Sequence, residues 1–283
     1  MKGILLSGGN GSRLYPITSA YSKLLLPVYD KPLIYYPLCT LMSLNIREIL
    51  CITTKHDQKN YEKLLNDGSQ WGINIQYTYQ ESPRGIADSF IVGKSFLKNE
   101  SVALILGDNI FYGLELNFEI NLKFYNGAYL FLYKVQDPQR YGVAEVDDNK
   151  IISIEEKPKI PKSSLAVTGL YIYDKDVVDY ASTLVPSERN ELEITDLNNI
   201  YLKKNKLKFI VLKKGSVWLD AGTPSSLLQA SEFVKTIQQR QQIQIASPEE
   251  IAYKNNWINK NKLMNLPSFN YHNSYGEYLR SLI

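Results

Sequence analysis

The chain has 283 residues, 44% of them apolar and 22% charged, the balance of an ordinary globular protein long enough to bury a full core. Lys plus Arg number 32 against 29 for Asp plus Glu, a net charge of +3. That excess is too small, and its lysine pairs (Lys203-Lys204, Lys213-Lys214) too isolated, for a nucleic-acid or membrane-surface footprint. Cys39 and Cys51 form no C-x-x-C motif and are expected to be buried, reduced thiols of a cytoplasmic protein. His56 and His272 are the only histidines, which excludes a multi-histidine metal site and argues against Ser-His-Asp or Cys-His catalysis. No apolar run has the length of a transmembrane helix, and no signal peptide is expected.

In chain order, Ile4-Leu5-Leu6 reads as a buried strand running into a Ser7-Gly8-Gly9 loop. Pro32 to Leu44 reads as a helix with Ile34, Leu38, Leu41 and Met42 on one face and Pro32 at its first position. Strands are expected at Glu48–Ile52, Ile73–Tyr79 and Val102–Leu106, with helices at His56–Leu65 and Ala87–Phe96 between them. That alternation predicts right-handed crossovers and an α/β, Rossmann-like, mostly parallel sheet flanked by helices. Short strands at Ala128–Val135, Val143–Val146, Ile151–Glu155 and Leu170–Tyr173, with a hairpin turn at Asp147-Asp148-Asn149, make the second half of the sheet mixed. Thr223-Pro224 opens a helix, and Ser247 with Glu250 has the spacing of a capping box for another. From these signals residues 1–240 form the α/β unit and 241–283 a helical extension packed on it.

The loop Ser7-Gly8-Gly9-Asn10-Gly11-Ser12-Arg13 can turn backbone N–H groups towards an anion. It is not a P-loop, because counting from Gly8 puts Arg13 where the motif needs Gly-Lys. It is not a dinucleotide fingerprint either, because counting from Gly9 ends on Leu14. A glycine loop alone is as well explained by a tight turn. Here Arg13 follows directly and Lys23 comes shortly after, one suited to bidentate phosphate contact and the other a compact charge. A cradle with two cations suits a triphosphate.

These residues, followed by Leu14-Tyr15-Pro16 and Thr18, are similar to the N-terminal signature of the sugar-1-phosphate nucleotidylyltransferases. The resemblance continues in order through Leu25 to Pro32, Leu106-Gly107-Asp108-Asn109, Arg140-Tyr141-Gly142-Val143, Glu155-Glu156-Lys157-Pro158, Val167 to Tyr171, Glu191 to Asp196 and Trp218 to Thr223. It departs at Ser7, Ser12, Leu24, Glu81, Arg84, Leu114 and Ala221, none of which removes a charge that the chemistry needs. The resemblance implies an enzyme that joins dTTP to glucose 1-phosphate, releases pyrophosphate and feeds deoxysugar-nucleotide synthesis. It also implies Mg2+ as cofactor and a homotetramer, with no nucleic-acid or membrane partner.

In such a reaction the sugar phosphate is itself the nucleophile, so no protein nucleophile is needed and catalysis rests on positioning and charge neutralisation. Asp108 follows a strand end, where open α/β sheets bind ligands, and Asp220 follows the apolar segment Val217-Trp218-Leu219; both are metal candidates, though loop-capping aspartates read the same way. By carry-over from the family, Gly8, Gly9, Gly11, Ser12, Arg13 and Asp108 hold the nucleotide, with Arg13 on the leaving pyrophosphate and Lys23 near the α-phosphate. Gln80 can read a pyrimidine edge, and Gly85 would let backbone approach the base. Asn109, Tyr141, Gly142, Glu156, Lys157, Val167, Thr168 and Gly169 form the implied sugar-phosphate pocket, with Lys157 on the phosphate and Glu156 on sugar hydroxyls. Three alternatives carry fewer matching features. One is a UTP-using uridylyltransferase, and another a non-catalytic nucleotide-binding subunit. The third is a metal-dependent glycosyltransferase using Asp174-Lys175-Asp176 as an Asp-x-Asp motif.

Overall fold

The structure, a computed structural model, describes residues 1–9, 11–114 and 126–283; Asn10 of the glycine loop lies outside them. The strands in chain order are β1 (Lys2–Leu6), β2 (Pro27–Val28), β3 (Lys31–Pro32), β4 (Glu48–Thr54), β5 (Asn74–Gln80), β6 (Val102–Leu106) and β7 (Asn109–Tyr112). They continue as β8 (Ala128–Lys134), β9 (Gly142–Asp147), β10 (Lys150–Glu156), β11 (Leu165–Tyr173), β12 (Leu207–Val211) and β13 (Val217–Asp220). The helices are α1 (Tyr35–Ser43), α2 (Gln58–Leu65), α3 (Asp88–Val92), α4 (Lys94–Leu97), α5 (Val177–Ser182), α6 (Ile194–Lys203) and α7 (Pro224–Gln241). Four short ones follow: α8 (Pro248–Lys254), α9 (Lys260–Met264), α10 (Pro267–Asn270) and α11 (Ser274–Arg280).

β5, β4, β1 and β6 pair in parallel in that order. β11 then joins β6 antiparallel and connects β8, β9 and β10 to the sheet, again antiparallel, while β12 runs parallel to β8. The expected division into a parallel first half and a mixed second half is therefore what the chain adopts. β1 is buried along its whole length, and its side chains alternate between two apolar cores. Leu5 packs with Leu38, Trp71 and Ile105 on one face. Ile4 and Leu6 pack with Phe90, Leu104 and Tyr173 on the other. Ala252, Leu263, Phe269 and Leu279 from the C-terminal helices, with Ile258 between α8 and α9, join the first of these cores.

Local chemistry explains where the observed elements differ from the sequence reading. Pro32 does not open a helix, because β3 pairs with β2. Leu33 and Ile34 then donate their N–H groups back to Leu26 and Leu24, so α1 begins only at Tyr35. The expected helix at Ala87–Phe96 is two helices divided at Gly93. Thr223 and Ser226 make a reciprocal capping box at α7, as Thr223-Pro224 suggested. At α8 only half of the expected box forms: Ser247 accepts from the Glu250 N–H, while the Glu250 side chain pairs with Lys254 at 2.5 Å. Asp148 and Asn149 both have positive φ, as a tight hairpin turn requires.

The parallel strands deliver their carboxyl ends to one edge. Leu6 leads into the glycine loop, Gln80 ends β5, and Gly107-Asp108 follows β6. Gly107 has no alternative: a methyl group there would lie 2.1 Å from Leu24 Cδ1 and 2.9 Å from the Leu6 carbonyl oxygen.

Candidate active site

A cleft of about 440 Å3 opens on this edge, lined among others by Gly8, Gly9, Gly11, Ser12, Arg13, Lys23 and Asp108. The glycine loop is held by a short 3-10 turn at Ser12–Leu14, whose cap Gly11 is left-handed and accepts a hydrogen bond from Thr18. The floor is built by a two-stranded ribbon. β7 and β13 pair antiparallel so that Asn109 faces Asp220, and the Ala221 N–H donates to the Asp108 carbonyl at 3.0 Å. Residues far apart in sequence thus put Asp108 and Asp220 at one ribbon end.

Asp108 is bonded on both oxygens, to Lys23 Nζ at 2.5 Å and to Asn109 Nδ2 at 2.8 Å. Burial pushes its carboxyl up, but Lys23, Asn109 and Arg13 outweigh burial and hold it below the usual carboxylate range. Asp220 goes the other way: burial and the charge of Asp108 raise it against the pull of Lys23, Arg13 and Arg140. Arg13 and Asp220 converge at Gly222, where a methyl group would sit 2.9 Å from each. Arg140 reaches Asp220 at 3.6 Å. Two acids whose charges repel, flanked by three cations, form a site suited to polyanion and divalent cation together. Among the described residues no set of three or more His, Cys, Asp or Glu is placed to hold a metal, so further ligands would have to come from elsewhere.

Gln80 lies behind the cradle, its Oε1 3.3 Å from the point a Gly8 methyl would occupy, with its amide donating to Asp88 at 2.9 Å. Pro83 and Ile86 line the same part of the cleft. Gly85 has a different constraint from the expected one. Its φ is +99°, and the space beside it is filled by the Leu192 backbone.

The other expected residues gather on the neighbouring part of the sheet. Gly142 pairs with Glu156 across β9 and β10, and a methyl on Gly142 would lie 3.3 Å from Thr195 Oγ1, 3.5 Å from Glu156 Oε2 and 3.8 Å from Val167. Tyr141 accepts the Lys157 N–H and rests against the Trp218 ring, 5.0 Å between centroids. Gly169 donates to Asn109. Lys157 does not line the cleft; its ammonium sits 3.5 Å from Glu156 and is half exposed. The Thr168 hydroxyl is buried and has no hydrogen-bond partner among the described residues.

Several residues here lay outside the sequence reading. Arg189 spans Glu156, Glu191 and Glu193 at 3.6, 3.7 and 2.8 Å, and no motif flagged it. Thr195 donates to Glu156 at 2.7 Å. Thr195, Arg140 and Gly222 did stand inside matching blocks, but nothing local gave them a role. The Asp-x-Asp reading fails on placement. Asp174 is buried at the end of β11 and accepts from the Tyr201 hydroxyl at 2.7 Å, leaving no exposed acid pair. Cys39 and Cys51 are free and buried, and burial pushes the Cys51 thiol up to about 12. No helix among the described residues is long and apolar enough to cross a membrane.

Comparison with known proteins agrees with this geometry. A protein of Neisseria meningitidis named glucose-1-phosphate thymidylyltransferase is 51% identical, with 100% of this chain and 99% of its own length aligned. One of Mycobacterium tuberculosis with the same name is 47% identical over 100% of this chain and 99% of its own. A Bacillus anthracis crystal structure, provisionally given that name and solved with sucrose, superposes with a TM-score of 0.77 at 44% identity, covering 82% of this chain and 94% of that one. A UDP-glucose pyrophosphorylase solved with UDP-glucose shares the fold at a TM-score of 0.70 and 22% identity, covering 83% of this chain and 98% of its own. Residues 2–237 match the nucleotidyl transferase family. With its glycine cradle, paired acids and flanking cations on one edge of such a sheet, the chain belongs to the nucleotidyl transferase family, and it is an enzyme.

Proposed function

We propose that the chain transfers a thymidylyl group from dTTP to glucose 1-phosphate, giving dTDP-glucose and pyrophosphate. The observation that carries the reading is one cleft edge holding the glycine cradle, Arg13, Lys23 and the Asp108–Asp220 pair, with a carboxylate–lysine cluster at Glu156 and Lys157 beside it. The names of the full-length relatives support the substrate pair.

Asp108 and Asp220 fit Mg2+ by donor chemistry: hard oxygens from two acids, with phosphate oxygens able to complete the shell. Bound there, the ion would supply charge neutralisation between the two phosphate groups. The chain's own residues do the rest. Loop N–H groups and Arg13 take the β- and γ-phosphates, and Lys23 is poised to exchange Asp108 for the α-phosphate. Glu156, held by Thr195 and Arg189, accepts sugar hydroxyls, and Lys157 draws the sugar phosphate in. A sugar-phosphate oxygen attacks the α-phosphorus, a new P–O bond forms, and the bond to the β-phosphate breaks with its electron pair leaving on pyrophosphate. Gln80 reads the pyrimidine edge.

Residues 1–240 serve as the transferase unit, with 241–283 as its packed extension. We read the enzyme as a cytoplasmic homotetramer that feeds deoxysugar-nucleotide synthesis. The test is a matrix of triphosphates against sugar phosphates, scored by pyrophosphate release with Mg2+. The expected maximum is dTTP with glucose 1-phosphate; a maximum with UTP makes it a uridylyltransferase, and no release anywhere makes it a binding subunit. In the same assay Gln80→Ala should even out the rates with dTTP, UTP and GTP by about tenfold, while unchanged ratios move base reading elsewhere.

A further inference from the structure

Asn109 is held in one orientation by two donors on one atom. Its Oδ1 accepts the Trp218 indole N–H at 2.6 Å and the Gly169 backbone N–H at 3.0 Å. A side-chain amide so held must present its NH2 group the other way, and that group donates to Asp108 Oδ1 at 2.8 Å. Both donors are buried or come from a buried strand: Trp218 packs between Tyr133 and Tyr141, and Gly169 lies inside β11. Gly169 is bare for a specific reason. A methyl group there would meet Asn109 first in all three of its nearest contacts, at 2.5 Å from Oδ1, 2.6 Å from Cγ and 2.8 Å from Nδ2.

We infer that Trp218 and Gly169 are positioning residues for the Asp108 carboxylate, acting through the locked amide of Asn109. Asp108 has one oxygen for Lys23 and one for Asn109. When a phosphate draws Lys23 away, the Asn109 amide remains as the bond that fixes how the carboxylate faces a cation. If the Trp218 N–H is lost, the amide keeps one donor on Oδ1 and can rotate, which takes its NH2 from Asp108. Partners of this kind, one bond behind a metal ligand, set metal affinity by about 10–100-fold.

The inference rests on the proposed role of Asp108 as a metal ligand, and the test separates the two. Mn2+ affinity is measured by electron paramagnetic resonance of free Mn2+ at saturating non-hydrolysable dTTP analogue. No sugar phosphate is present, so a role for Trp218 in a sugar pocket cannot contribute. Trp218→Phe removes the N–H and keeps a smaller aromatic ring; Gly169→Ala pushes directly on the amide at a position whose backbone tolerates alanine. Each should weaken Mn2+ by roughly tenfold. Asp108→Asn serves as the reference and should weaken it more. An effect of Asp108→Asn with none for Trp218→Phe and Gly169→Ala overturns the positioning role alone. No effect of Asp108→Asn overturns the metal reading and this inference with it. Thermal melting of each variant identifies one that fails to fold, and the other then decides.

Discussion

Two lysine–aspartate pairs lie on opposite sides of this molecule's function. Lys23 and Asp108 meet at 2.5 Å on the cleft wall, and Lys31 and Asp30 meet at 2.7 Å beneath the C-terminal helices. In the second pair the lysine is saturated. It also donates to Gln238 at 3.2 Å and Gln244 at 3.1 Å and lies over the rings of Tyr36 and Tyr275. Burial lowers the Lys31 ammonium, against the pull of Asp30. Lys23 has Asp108 and open cleft. The distances are nearly equal, so distance does not distinguish a structural pair from the one proposed to meet substrate. The hydrogen bonds left over do: an ammonium whose donors are all taken ties elements together, and one with spare donors facing a cavity can exchange partners.

Lys31→Met should have the largest effect. It leaves Asp30 without its cation and should cost about 3 kcal/mol of stability, as loss of one partner from a buried pair does, while the folded fraction keeps its turnover. Urea unfolding and a pyrophosphate assay at low temperature check both halves; lost turnover at intact stability would reverse the assignment. Asp108→Asn should behave oppositely. Turnover should fall more than about 100-fold with little change in melting temperature, and near-normal rates would remove this acid from the mechanism. Asp174 is a buried acid on which burial outweighs the pull of its cation, Lys206. One of its oxygens is unpartnered, and burial raises its carboxyl above the usual range despite the Tyr201 hydroxyl. A raised acid binds its proton more tightly folded than unfolded, so its ionisation lowers stability as pH rises from about 4 through the folded value. Asp174→Asn should therefore raise the melting temperature by about 2 °C at neutral pH, with the gain vanishing below about pH 4. A gain that persists at low pH would place the effect in packing rather than charge.

Much of the fold was legible because its signals are local. β6 was read to its exact ends, since five apolar residues flanked by a turn have few other options. The start of α7 was legible in Thr223-Pro224, and the hairpin in two residues that accept positive φ. β7 was not foreseen. Asn109 to Tyr112 is too short to carry a period, and its strand exists only because β13 arrives to pair with it. α1 was placed too early because the hydrogen bonds that delay it run back to Leu24 and Leu26 through a turn that no pattern announces.

Readable along the chain is the inventory: a glycine loop with two cations after the first strand, acids at two strand ends, and an ordered set of motifs that names a family. Those features depend on neighbours along the chain, where composition and spacing act directly. Which of them meet depends on the folded sheet. Lys23 finds Asp108 across 85 positions and Trp218 finds Asn109 across 109, and Arg189, besides its chain neighbours Glu191 and Glu193, reaches Glu156 on β10. Hydrogen bonds are directional and reach about 3 Å, so such contacts exist only after the whole sheet has fixed its register.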